Sequence, residues 1–159
     1  MQKQKKQEQT PFMDMYPQLS LLPTTIVSSP IDLSSYDYVQ DLTRDNGKDH
    51  YHLIVKNRKF GVFYTRKGML RTKASVIVKC RYDYITIITQ NDKSATFKLQ
   101  LDGKFGLLAW KLGSIFDSRT YIKPIYDDIT QEVKGNFMRF KAQTTNSVVY
   151  YDSTCNLLR

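Results

Sequence analysis

One spaced pair of motifs occurs twice in this chain. Lys59-Phe60-Gly61 is followed by Tyr82-Asp83, and Lys104-Phe105-Gly106 by Tyr126-Asp127. The Phe-Gly pair shifts by 45 residues (60 to 105) and the Tyr-Asp pair by 44 (82 to 126). Self-similarity at such a period marks stacked copies of one supersecondary unit. A unit this short cannot bury its own apolar face, so copies must cover one another. Arrays built this way serve mostly as binding surfaces and seldom as sites for chemistry.

The pattern inside each unit is β. From Ser94 to Leu101, Ala95, Phe97, Leu99 and Leu101 alternate with Ser94, Thr96, Lys98 and Gln100. That predicts a strand with one apolar and one wet face. Asp102-Gly103 is a strong hairpin signal, and Lys104 to Leu108 begins the return strand. In the first copy Tyr51 to Val55 leads through Lys56-Asn57-Arg58 into Lys59 to Tyr64. Each copy continues with a polar stretch holding Gly68 or Gly113. A further short strand follows, Ala74 to Lys79 in one and Tyr121-Ile122 in the other. Partial copies flank these two: Tyr36-Asp37-Tyr38-Val39 upstream, and Phe137 to Ala142 with a decayed turn at Thr145-Asn146-Ser147 downstream. Long amphipathic helices are not found; Ser35 to Thr43 and Ser114 to Thr120 have room for one or two helical turns at most. The expected fold is all-β: a short array of antiparallel hairpin or meander units of about 44 residues, an open stack or sandwich-like roll. The unit length also suits a propeller blade, but a closed propeller takes at least four full blades.

Residues 1–30 read as a flexible or capping tail, rich in Gln, Lys, Ser and Thr and punctuated by Pro11, Pro17, Pro23 and Pro30. Its apolar residues, among them Phe12, Met15, Tyr16 and Leu21, could dock on an open end of the array. Residues 31–159 form the β domain.

The motifs resemble the WG repeat, a bacterial β-rich module in which Trp-Gly is followed by Ile-x-Pro-x-Tyr-Asp-x-Ile. Lys104-Phe105-Gly106 with Ile122-Lys123-Pro124-Ile125-Tyr126-Asp127-Asp128-Ile129 matches well. In the first copy Cys80 replaces the proline, and Phe stands where the family prefers Trp. The resemblance spans roughly residues 30 to 152 and implies an interaction scaffold without catalytic residues. Read physically, Phe60 and Phe105 fill the inner face, and Gly61 and Gly106 admit a close neighbour. Tyr82 and Tyr126 bury their rings, and Asp83 and Asp127 accept turn N–H groups.

Charge gives the strongest signal beyond structure. Lys56, Arg58, Lys59, Arg66, Lys67, Arg71, Lys73, Lys79 and Arg81 lie in a stretch without Asp or Glu, and the other 15 basic residues match the 15 acidic ones. The whole formal excess of +9 thus sits in the first full unit. With Tyr51, Phe63 and Tyr64 as an aromatic platform, this patch suits an acidic protein surface or, as the alternative, single-stranded nucleic acid held without sequence preference. Long cations that only solvate turns and protect edge strands would look the same. An array with an uncovered end can also associate with a second copy.

No phosphate loop, nucleophile elbow or metalloprotease helix is present, so neither an enzyme nor a cofactor is expected. Asp127-Asp128 cannot share a proton, because neighbouring strand residues point to opposite faces. His50 and His52 share a face but have no third ligand at a recognisable spacing, so no metal is expected. Cys80 and Cys155 could pair, but two cysteines this sparse give no disulfide framework, and each is read as a small half-buried hydrophobe. With no long apolar run and no leader pattern, a cytoplasmic chain away from membranes is the expectation.

Overall fold

The computed structural model describes residues 33–44, 47–68 and 72–159, so the expected tail and Arg71 lie outside the described residues. Among the described residues eleven strands form: β1 (Tyr38–Asp41), β2 (Asp49–Lys56), β3 (Lys59–Lys67), β4 (Thr72–Tyr82), β5 (Tyr84–Asn91), β6 (Ser94–Leu101), β7 (Lys104–Lys111), β8 (Ser118–Tyr126), β9 (Asp128–Lys134), β10 (Phe137–Gln143) and β11 (Val148–Asp152). They pair antiparallel in three sheets, ordered β1-β2-β3-β4, β5-β6-β7-β8 and β11-β10-β9. Among the described residues there is no helix, and hence none long and apolar enough to cross a membrane.

Neither segment with room for a helical turn forms one. Tyr38-Val39 pairs with Val55-Ile54 as the edge strand β1, and Ser118 to Thr120 continue β8 against β7. Ladder hydrogen bonds outweigh a local helical preference that one or two turns cannot sustain.

Two apolar cores separate the three sheets. Tyr51, Leu53, Phe60, Val62, Tyr64 and Ile77 of the first sheet meet Ile85, Ile87, Phe97, Leu99, Leu108 and Trp110 of the second. Leu107 and Ile122 on the other face of the second sheet meet Ile129, Phe140 and Ala142 of the third. Neighbouring residues on β7 therefore serve different cores, as strand alternation requires. This corrects the wet face expected for β6. Thr96 is only 4% exposed. Lys98 reaches across to donate to the Ile129 carbonyl at 2.8 Å and lies 4.5 Å from the centre of the Phe105 ring. Its methylene stem covers apolar surface while its charge finds acceptors.

The two motif copies do the same work in successive sheets. Phe60 pairs with Tyr82 and Phe105 with Tyr126, each followed by an irregularity in register. The cause is glycine. A Cβ at Gly61 would press on the Val78 carbonyl and the Cys80 nitrogen, and one at Gly106 on the backbone of Ile122 to Pro124. The bulged backbone of the next strand occupies the space a side chain would need.

Lys59 bonds Asp83, and Lys104 bonds Asp127. The Asp83 N–H donates to Gln100 O (2.8 Å), and that of Asp127 to Gln143 O (2.7 Å). The upstream partial copy matches, since Asp37 N–H donates to Val55 O at 2.8 Å. Asp37 Oδ2 accepts from Asn57 N–H as Asp83 Oδ2 does from Asp102 N–H. Asp83 alone separates β4 from β5, and Asp127 alone separates β8 from β9.

Both hairpin turns at this end have positive φ at two central residues, Asn57 and Arg58 (53° and 64°) and Asp102 and Gly103 (52° and 76°). Turns of that hand match strand twist. In the third sheet the residues after β11 fold back, with Leu158 N–H donating to Tyr150 O at 2.8 Å and Cys155 buried beneath.

Candidate functional site

The eight described basic residues of the nine do not form one patch. β3 runs nine residues, Lys59 to Lys67, which at about 3.3 Å per residue puts its ends roughly 26 Å apart. Besides Lys59, four lie towards the β2–β3 turn end of the sheet, two at the turn and two on β4. Lys56 and Arg58 lie there exposed, and Lys56 approaches Cys80, whose neighbours Lys79 and Arg81 are also exposed. The second group, Arg66, Lys67 and Lys73, lies at the far end. There the register puts Arg66 opposite Lys73 and Lys67 opposite Thr72, so Lys67 points to the other face.

Two of the nine are committed elsewhere. Lys59 is tied to Asp83, whose carboxyl is held below the usual range by that lysine first and by the Asp102 N–H second. Arg66 reaches Asp49 at 2.8 Å and Asp92 at 3.2 Å. Lys56, Arg58, Lys67, Lys73, Lys79 and Arg81 take part in no ion pair among the described residues.

The aromatic platform is a correction. Tyr51, Phe63 and Tyr64 are 0%, 7% and 1% exposed. Tyr51 and Tyr64 pack on each other and on Trp110, with the Tyr64 and Trp110 ring centres 4.4 Å apart. Large rings gain more from burial than from an open stacking surface, so none of the three can receive a base from solvent.

What was expected to be a stacking surface is instead a clamp between two sheets. Asp49 accepts from the Tyr64 hydroxyl (2.5 Å), from Arg66 and from the Lys93 N–H (2.9 Å), joining β2 and β3 to the β5–β6 turn. Burial alone would push the Asp49 carboxyl up, but these three donors hold it below the ordinary carboxylate value. Burial and the facing Asp49 carboxylate push the Tyr64 hydroxyl far up, so it stays a donor.

His52 is 1% exposed, and neither ring nitrogen has a hydrogen-bond partner among the described residues. Burial lowers its pKa, so it is neutral in the fold. The unfolded chain takes up a proton first as pH falls below the ordinary value of 6.5, and folding stability falls with it. His52→Leu should therefore stabilise the fold by roughly 1–3 kcal/mol by removing orphaned polar atoms. The gain should be larger at pH 5 than at pH 8, read from urea midpoints at both. No group of three or more His, Cys, Asp or Glu suited to a metal occurs among the described residues. Cys80 and Cys155 are free thiols, and burial pushes that of Cys155 up to about 12.

Two clefts open where the β4 edge of the first sheet passes over the β8 edge of the second. The larger, about 350 Å³, is lined by Tyr64, residues 72–75 of β4 and residues of the β7–β8 loop, including Ile115 and Asp117. The smaller, about 220 Å³, is walled by Lys79, Arg81 and Tyr82 on one side and Arg119 and Tyr121 on the other, over Leu99 and Leu108. Arg119 spans the gap, donating to Ile77 O at 2.9 Å. Tyr82 donates to the Tyr121 hydroxyl at 3.2 Å. Sequence reading passed over Arg119, in a stretch with room for a helical turn, and took Tyr121 only as a strand residue. The available signal was Ser118 to Tyr126 read as one strand, which puts 119 and 121 on the same face. No family model, curated protein or solved structure matches this chain.

Proposed function

We propose that the chain is a non-catalytic interaction module of WG-repeat type, whose first sheet meets an acidic protein partner at its cationic turn end. The observation that carries this reading is that Lys56 and Arg58 at the turn, and Lys79 and Arg81 on β4, are each exposed and take part in no ion pair among the described residues. Long cations left uncompensated on one end of a fold attract and orient an oppositely charged surface. The reading places the protein in the cytoplasm, in keeping with two free thiols.

The test is affinity capture from the native cell with wild type and with Lys56, Arg58, Lys79 and Arg81 all changed to Glu, alongside retention on single-stranded and duplex DNA at low and raised salt. Exposed ion pairs contribute roughly 0.2–1 kcal/mol each, so the variant should bind a captured acidic protein about tenfold or more weakly. An undiminished complex would overturn the proposal. Retention on DNA with a steep salt slope, lost in the variant, would replace the protein partner with nucleic acid.

A further inference from the structure

The groove between β4 and β8 sharpens the partner's chemistry. Three cations, Lys79, Arg81 and Arg119, and no Asp or Glu line it. Its floor is apolar, made by Ile77, Val78, Leu99 and Leu108 where the first core reaches the surface. At about 220 Å³ it lies below the roughly 300–1,000 Å³ of pockets for drug-sized ligands. It therefore has room for one side chain rather than a cofactor.

Both walls are sheet edges, since β4 ends the first sheet and β8 the second. Arg119 uses two N–H groups on Ile77 O and Val76 O, and a guanidinium has five, so donors remain for a carboxylate. Tyr121 is 47% exposed and positioned beside Tyr82 by their hydroxyl contact.

We infer that this groove takes one apolar side chain of an extended acidic peptide segment, whose flanking carboxylates lie on Lys79, Arg81 and Arg119. Charge complementarity selects the acidic flanks, and the floor selects the anchor. The inference rests on the acidic-partner reading above. It adds that recognition has an apolar centre inside a cationic rim, the arrangement that concentrates binding energy in a desolvated pocket.

An immobilised library of eight-residue peptides tests it, each with Asp or Glu flanks and one central position varied over all side chains. The full chain should retain peptides with Leu, Ile, Phe or Met at that position about tenfold more strongly than those with Ser, Asn or Gln. Tyr121→Ala should erase this preference while acidic peptides are still retained. Tyr121→Phe, which keeps the ring, should preserve it and guards against a folding defect. Lys79→Glu with Arg81→Glu should release the whole library.

Retention that is lost on charge reversal but indifferent to the central side chain would overturn the groove and leave the acidic-partner reading standing. An apolar preference that survives charge reversal would overturn the carboxylate contacts. Wild type that retains no acidic peptide would overturn both, as would elution of every peptide by a single-stranded oligonucleotide at equal concentration.

Discussion

Phe60→Ala should lower folding stability by about 3–5 kcal/mol, the usual loss for a fully buried Phe, and Phe105→Ala by only about half as much. The two residues hold the same place in the motif, and each pairs with the tyrosine of its own copy. Their surroundings differ. Phe60 is 0% exposed and packs edge-on against Tyr84 at 5.3 Å. Phe105 is half-buried at the border of the second core, with Lys98 above its ring. Truncating Phe60 leaves a cavity that rigid neighbours cannot fill, whereas the space at Phe105 opens partly to water. Urea midpoints at unchanged slope measure both losses. Equal losses would mean that the two cores are equally closed around their phenylalanines. A domain of ordinary stability, about 5–15 kcal/mol, could lose most of its folded population to the first change, so Phe60→Leu provides the milder comparison.

Asp49→Ala should cost about 3 kcal/mol, the low end for breaking a buried charge pair by removing one partner. Arg66 keeps Asp92, but that carboxylate is 78% exposed and is a weak substitute. The Tyr64 hydroxyl and the Lys93 N–H lose their acceptor outright. The pH dependence follows from the sign of the shift. Asp49 has a folded-state pKa below its ordinary 3.8, so its contribution is complete above that value and is lost as pH falls through the folded one. Wild type should lose melting temperature between pH 5 and pH 3. The variant should lose less over that range, with Asp83, Asp127 and Asp152, also held low, contributing to what is left. Parallel curves would remove Asp49 from the acid response.

Where local chemistry is self-contained, the sequence showed the structure directly. The alternation of Ser94 to Leu101 is β6 to the residue, and Asp102-Gly103 is the turn that follows it. The close approach at Gly61 and Gly106 was legible too, because glycine within a strand marks a place where another backbone comes near, whereas the pairing of each Phe with its Tyr came only from the structure. Burial by distant segments was not legible. Tyr51 to Val55 is buried at every position, so strand alternation could not say which rings face water, and the aromatic platform was misplaced for that reason. The basic stretch looked like one patch because sequence proximity hides the length of β3. The part played by Arg119 and Tyr121 escaped notice because it comes from β4 passing beside them, which no local pattern encodes.

The single residues that join the sheets have a mechanical consequence. Asp83 and Asp127 are each gripped by a lysine and by a backbone bond to the following hairpin, contacts that oppose a swivel of one layer on the next. A surface that crosses from the first layer to the second is then held in a fixed shape before anything touches it. A visitor spanning that seam would bear little entropic penalty for ordering its host, and would meet a template that discriminates by contour as well as by charge.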